Sequence, residues 1–336
     1  MTHNTPLSPR PLSHLSDVRR RVVTARTLRE QGFPSATVQE RCRPGGPWQM
    51  PLPGVYVLHP GPPTSEERLH AVLLYAGRSS AVPAQGGQAM ITGLAALALH
   101  HFATAPPLLS LDRLDILVPR TRRLSSTGWA RVIRAQSLPR PEEVTGLPVA
   151  PVARALADAV SKLTDAVTVR RLLTEAVRGG HCEAHAVVRE LTQARLLTRP
   201  HVVDAVDTLL AEGRAIAEGR LYEMVHAYGL PDPVWNIDLR IPGGPHLGGV
   251  DAYWPDQAVA VEIDARAPRP AGEEADTLWS EYARKRETLE QLGITVVHVT
   301  PKKLRDAMEQ QAAVVRTALM TADDRDPAAY VVVLPR

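Results

Sequence analysis

Gly249-Val250-Asp251-Ala252-Tyr253-Trp254-Pro255-Asp256-Gln257-Ala258-Val259-Ala260-Val261-Glu262-Ile263-Asp264 reads as two short strands joined by a tight turn at Pro255-Asp256-Gln257. The valine-rich run Ala258–Val261, bounded by turn residues, predicts a buried strand. Side chains alternate along a strand, so Glu262 and Asp264 point the same way. A two-residue loop at Asp256-Gln257 sets Asp251 opposite Glu262. All three carboxylates then converge on one face of the hairpin. Buried carboxylates are costly unless a cation, a proton or a basic partner meets them.

Ahead of the hairpin, Ala215–Tyr228 predicts a helix that ends at Gly229, and Asn236–Ile241 a strand. Pro242-Gly243-Gly244-Pro245 is the loop into the hairpin. A charged loop follows at Pro268–Asp276, then a helix over Leu278–Leu292 ending at Gly293, and a strand over Ile294–Val299. A last helix is expected over Lys302–Met320 and a short strand over Tyr330–Leu334. The order helix, three strands, helix, strand predicts an α/β sandwich.

Upstream, helices are expected at 152–162, 165–178, 183–196 and 200–212, with a boundary at Glu212-Gly213-Arg214. Residues 65–76 and 88–102 read as helices. Asp115–Pro119 and Ala130–Ala135 read as strands around the arginine-rich turn Arg120-Thr121-Arg122-Arg123. At the front, Val22–Gln31 suits a short helix closed by Gly32, and Ser35 suits the cap of a second, Ala36–Arg43. That is helix-turn-helix spacing, and the strand-like Gly54–Leu58 stands where a wing would follow. The domains expected are a disordered arm (1–16), a winged-helix-like region (17–62), an α/β middle region (63–147), a helical region (148–213), the sandwich (214–320) and a tail (321–336). The fold class is multi-domain α/β with an α-rich middle.

Hydrophobic content of 44% supports globular cores, and no run approaches a membrane span. The polar, proline-rich N-terminus shows no apolar segment of a signal peptide. Two cysteines, Cys42 and Cys182, argue against a disulfide framework and for a reducing cytoplasm. Only four of the 39 basic residues are lysine, the bias of a GC-rich genome. Charge distribution is more informative than the total. Residues 1–43 carry eight arginines against Asp17, Glu30 and Glu40, and residues 112–141 seven against Asp112 and Asp115. Residues 215–320 carry eleven basic and sixteen acidic groups. A nucleic-acid-facing surface is therefore expected in the front half.

The order Leu28-Arg29-Glu30-Gln31-Gly32-Phe33, then Ser35–Arg43, then Pro53-Gly54-Val55-Tyr56-Val57-Leu58 resembles the N-terminal winged helix of AbiEi-type antitoxins. Those are transcriptional autoregulators of type IV toxin–antitoxin systems. The resemblance implies DNA contacts from Arg29, Ser35, Thr37, Arg41 and Arg43. It implies DNA as partner, with a cognate toxin or a second copy of the chain, and no membrane.

Residues 215–305 resemble the restriction-endonuclease-like PD-(D/E)XK fold, in the DUF559 branch related to very-short-patch-repair endonucleases. The resemblance rests on Gly229-Leu230-Pro231, Val250-Asp251 with Trp254-Pro255, Val261-Glu262-Ile263-Asp264, Arg284-Lys285-Arg286 and Leu292-Gly293. It implies magnesium, or manganese, on Asp251, Glu262 and Asp264, with phosphodiester hydrolysis assisted by Glu218 and Lys285. Where the resembling domains continue with glycine and then histidine, this chain has Ala265-Arg266-Ala267-Pro268. Its alternative is a non-catalytic regulator carrying a degenerate nuclease fold.

Overall fold

Three β-branched residues in a row, Val22-Val23-Thr24, favour extended backbone over helix, and they form a strand instead of opening the helix expected there. The Thr24 hydroxyl then caps the helix Ala25–Glu30 by accepting from the Thr27 amide. Gly32 closes the turn with φ +83°. The second helix is Ser35–Arg41, one residue earlier than expected at its start and two at its end. Pro34 takes the cap position and Ser35 makes no capping bond. Val22–Thr24 pairs antiparallel with Val55–Val57, which pairs in turn with Gln49–Leu52. This computed structural model describes residues 18, 20–77, 89–264, 284–323 and 331–335. The expected arm at 1–16 and the loop at 268–276 lie outside the described residues.

The chain divides into two compact units, Met1–Glu175 with Glu190–Val202, and Ala176–Arg189 with Val203–Arg336. In the first, the helix Ser65–Gly77 leads to a five-stranded sheet. Its order is Ala130–Ala135, Leu114–Pro119, Met90–Thr92, Leu147–Val149, Glu142–Val144. The segment 88–102 is thus not one helix. Met90–Thr92 is the central strand, wholly buried, and Gly93 at φ +64° turns it into the helix Gly93–Leu99. A side chain at Gly93 would run into the Asp115 carboxylate, which is why a glycine stands there. The hairpin Glu142–Val149 was not expected; Thr145 and Gly146, both left-handed, make its two-residue turn. The middle region is therefore less helical than its sequence implied.

One helix, Pro200–Ala227, in the second unit from Val203 onward, runs straight through Gly213, where a boundary was expected. A Cβ at Gly213 would lie 3.1 Å from Ala184 Cβ, so this glycine admits a close neighbour and does not end the helix. A five-stranded sheet follows, ordered Thr295–Val299, Val259–Ile263, His246–Trp254, Val234–Arg240, Val332–Pro335. The central hairpin pairs Ala252 with Val261 and Trp254 with Val259, the register expected from the sequence. Its turn is longer, four residues, because Ala258 leaves the strand at φ +50°. Val259–Ile263 and Thr295–Val299 are parallel, as a strand–helix–strand crossover requires. One face packs Ala252, Trp254, Val259 and Val261 against Leu221, Met224 and Val225 of the long helix and Val315 and Leu319 of the helix Met308–Asp323. The other packs Tyr253 and Ala260 against Leu289 in the helical residues 284–291. The expected helix Lys302–Met320 is broken at Ala307 into Pro301–Asp306 and Met308–Asp323. Among the described residues no helix is long and apolar enough to cross a membrane.

Candidate functional site

Where the Ala252–Val261 pairing ends, two acids are drawn into the sheet. Asp251 and Glu262 are each 7% exposed. Asp251 takes the place of a ladder partner: its Oδ2 accepts from the Ile263 amide at 2.7 Å. Its Oδ1 accepts from Arg214 Nη2 at 3.0 Å, and Arg214 Nε donates to Glu218 at 2.7 Å. Burial pushes the Asp251 carboxyl above its ordinary range. The Ile263 amide and Arg214 oppose that rise, while Glu218 and Glu262 add to it. The two buried acids therefore feel one another.

Glu262 has a different cation. Lys285 Nζ donates to Glu262 Oε1 and, at 2.8 Å, to the Gly249 carbonyl. The lysine reaches there across Gly248, whose φ of +112° and missing side chain leave the path open; a Cβ would lie 2.7 Å from Lys285 Cε. The other Glu262 oxygen is 3.7 Å from His298 Nδ1, which the parallel register sets directly opposite. Burial lowers the His298 pKa, and the charge of Glu262 pulls it the other way.

Four of the five residues expected at this site thus come together: Glu218, Asp251, Glu262 and Lys285. Asp264 lies one step beyond. Its amide donates to the Val299 carbonyl at 2.9 Å, and its charge acts on His298 and His185. Among the described residues no three His, Cys, Asp or Glu side chains form a group that could hold a metal ion. As placed, the donor set is two carboxylates, each already met by its own cation. Arg214 and His298 were missed. Arg214–Glu218 is a readable i,i+4 pair, but the expected boundary at Gly213 hid it. Nothing local marks His298, because only the crossover register brings it to Glu262.

In the first unit, Arg29, Ser35 and Arg43 are exposed and Thr37 is half-buried. Arg41 is stacked: its guanidinium carbon lies 4.5 Å from the Trp48 ring centre and 5.2 Å from that of Phe33. The two rings meet edge-on at 5.4 Å, so Arg41 helps fix the loop after its helix. No family model matches the chain, and a search of the curated proteins finds no significant match.

Proposed function

We propose that this chain is a DNA-binding regulator of the cytoplasm, with a winged-helix-like front and a nuclease-like second unit that does not cleave. The observation that carries this reading is the pairing of each buried carboxylate with a cation of the chain itself, Arg214 on Asp251 and Lys285 on Glu262. A divalent ion would have to displace both. The arginine-rich front, with Arg29 and Arg43 exposed beside the Ser35–Arg41 helix, supplies the phosphate-facing charge. An AbiEi-like antitoxin role, with a cognate toxin or a second copy as partner, fits the same features.

One observation favours a second reading, metal-dependent DNA hydrolysis. Lys285 stands on Glu262, where an enzyme of this type needs a cation, although it comes from a helix and not from the strand. Two measurements separate the readings. Calorimetric titration of magnesium and manganese into wild type and Glu262→Ala should show no Glu262-dependent binding, and duplex, mismatched and single-stranded DNA should stay intact. Cleavage abolished by Asp251→Ala would overturn the first reading. Binding to duplex DNA from the chain's own promoter region should weaken with salt. The salt slope should fall by about 1 for Arg43→Ala. Binding indifferent to salt would remove the DNA reading altogether.

A further inference from the structure

Between the helices Ala25–Glu30 and Ser35–Arg41 and the strand Val55–Val57 lies an open cleft of about 180 Å³. Phe33 and Tyr56 give it two aromatic walls, Val38 an apolar floor, and Arg29, Ser35 and Gln39 its polar lining. Ser35, Gln39 and Tyr56 can each donate a hydrogen bond, Arg29 can donate several, and no carboxylate lines the cleft. Arg29 is in no ion pair among the described residues. Its neighbour Glu30 is held by Arg26 at 2.9 Å, and the Arg29 Nε bond to the Ala25 carbonyl (3.3 Å) uses one of five donors. The Phe33 ring is braced edge-on by Trp48 at 5.4 Å and by Arg41 at 5.2 Å, which fixes its orientation. A flat ring carrying an anionic group matches this lining. An apolar ligand would leave Arg29 unused, and a bare anion would leave the rings unused.

We propose that this cleft binds one nucleotide unit, its base against Phe33 and Tyr56 and its phosphate on Arg29 and Ser35. The same chemistry comes from two sources, an unpaired nucleotide within a DNA strand or a free mononucleotide. The site shares Arg29 with the DNA-facing charge of the proposed function but takes its base on Phe33 and Tyr56, so nucleotide binding and duplex binding are measured separately.

Calorimetry on the full chain with dAMP, pentadeoxyadenylate and inorganic phosphate tests it. The expected result is one dAMP site per chain, with inorganic phosphate at least about tenfold weaker because it lacks the stacking contact. Arg29→Ala should weaken dAMP by about tenfold or more and Ser35→Ala by less. Both side chains are exposed, so circular dichroism should show an unchanged fold. Arg26→Ala, which removes a cation outside the cleft, should leave dAMP binding as it was. Pentadeoxyadenylate binding at least about tenfold tighter than dAMP identifies a strand as the occupant, and equal affinity identifies a free nucleotide. The proposal is overturned if neither dAMP nor the strand binds, if phosphate binds as tightly as dAMP, or if Arg26→Ala costs as much as Arg29→Ala. Nucleotide binding without duplex binding would keep this site and remove the DNA-regulator reading.

Discussion

Each unit buries a pair of carboxylates that repel one another, and the two pairs are handled differently. In the first, Arg131 meets Asp115 with two nitrogens, Nη2 at 2.6 Å from Oδ2. Asp158 accepts from the Thr92 hydroxyl at 2.6 Å and from Arg154 at 2.8 and 3.0 Å. In the second, Asp251 has Arg214 and one backbone amide, and Glu262 has Lys285. The Arg154 side chain is 19% exposed and that of Arg214 is 47%. The first network is the less open of the two, with Arg131 30% exposed; the second opens further to solvent on its Arg214 side. Buried acids alone therefore do not mark chemistry in this chain. A more open edge is what sets the second pair apart, and it is why Asp251 and Glu262 are the ones worth testing.

The largest expected effect comes from cutting each network at one acid. Asp158→Ala strands a fully buried Thr92 hydroxyl and Arg154, and should cost about 3–5 kcal/mol. Asp251→Ala strands the Ile263 amide, but Arg214 can turn to water and keep Glu218, so about 1–3 kcal/mol is expected. Urea denaturation of the two variants measures both. Equal losses would make the second network as structural as the first. A gain in stability for Asp251→Asn would mean that the carboxylate is held at a cost to the fold, and would favour hydrolysis.

Next in size are the two glycines that make room for a charged group. Gly93 lies against Asp115, which Arg131 holds in place, and Gly248 lies against the stem of Lys285. Both are left-handed, so alanine strains the backbone at either site. Gly93→Ala meets an anchored carboxylate and should cost about 3 kcal/mol. Gly248→Ala meets a flexible end that can swing away, so about 1–2 kcal/mol is expected, with loss of the Lys285 bond to Gly249. Thermal unfolding ranks the pair. The reverse order would show that Lys285, not Asp115, is the rigidly held charge.

These contrasts also explain what could be read in advance. The hairpin register around Ala252 and Val261 was legible because alternation and a turn fix it together. The juxtaposition of Asp251 and Glu262 followed from that register; a cation from the next helix, Lys285 or Arg286, was expected only from the resemblance to the nuclease-like fold. The end of the hairpin was not legible. Ala258 adopts φ +50°, a conformation that its residue type gives no reason to expect. Val22-Val23-Thr24 and Met90-Ile91-Thr92 were absorbed into predicted helices, although both are β-branched or apolar triplets whose partners lie far along the chain. Gly213 was read as a terminator because a sequence cannot show that Ala184 packs against it. The counter-cations Arg214 and Arg131 are likewise tertiary facts.

The smallest effect expected is in the response of the first network to pH. Desolvation raises the Asp115 pKa from its ordinary 3.8; the Arg131 bond and charge oppose this, Asp158 adds to it, and Lys162 opposes it. Arg131 itself is held charged, chiefly by its bond to Asp115. Burial thus costs the acid more than its less buried partner returns. A carboxyl whose folded pKa is raised binds its proton more tightly in the native state than in the unfolded chain. Its contribution is therefore full below the unfolded value and is lost as pH rises through the folded value. The stability of wild type relative to Asp115→Asn, which stays neutral, should accordingly fall as pH rises from below 3.8 through that folded value. Paired urea midpoints at several pH values across this window give the slope. A difference that grows in favour of wild type with rising pH would mean that the Arg131 pair outweighs burial. The first network would then be held by its charges, and the contrast with Asp251 would rest on exposure alone.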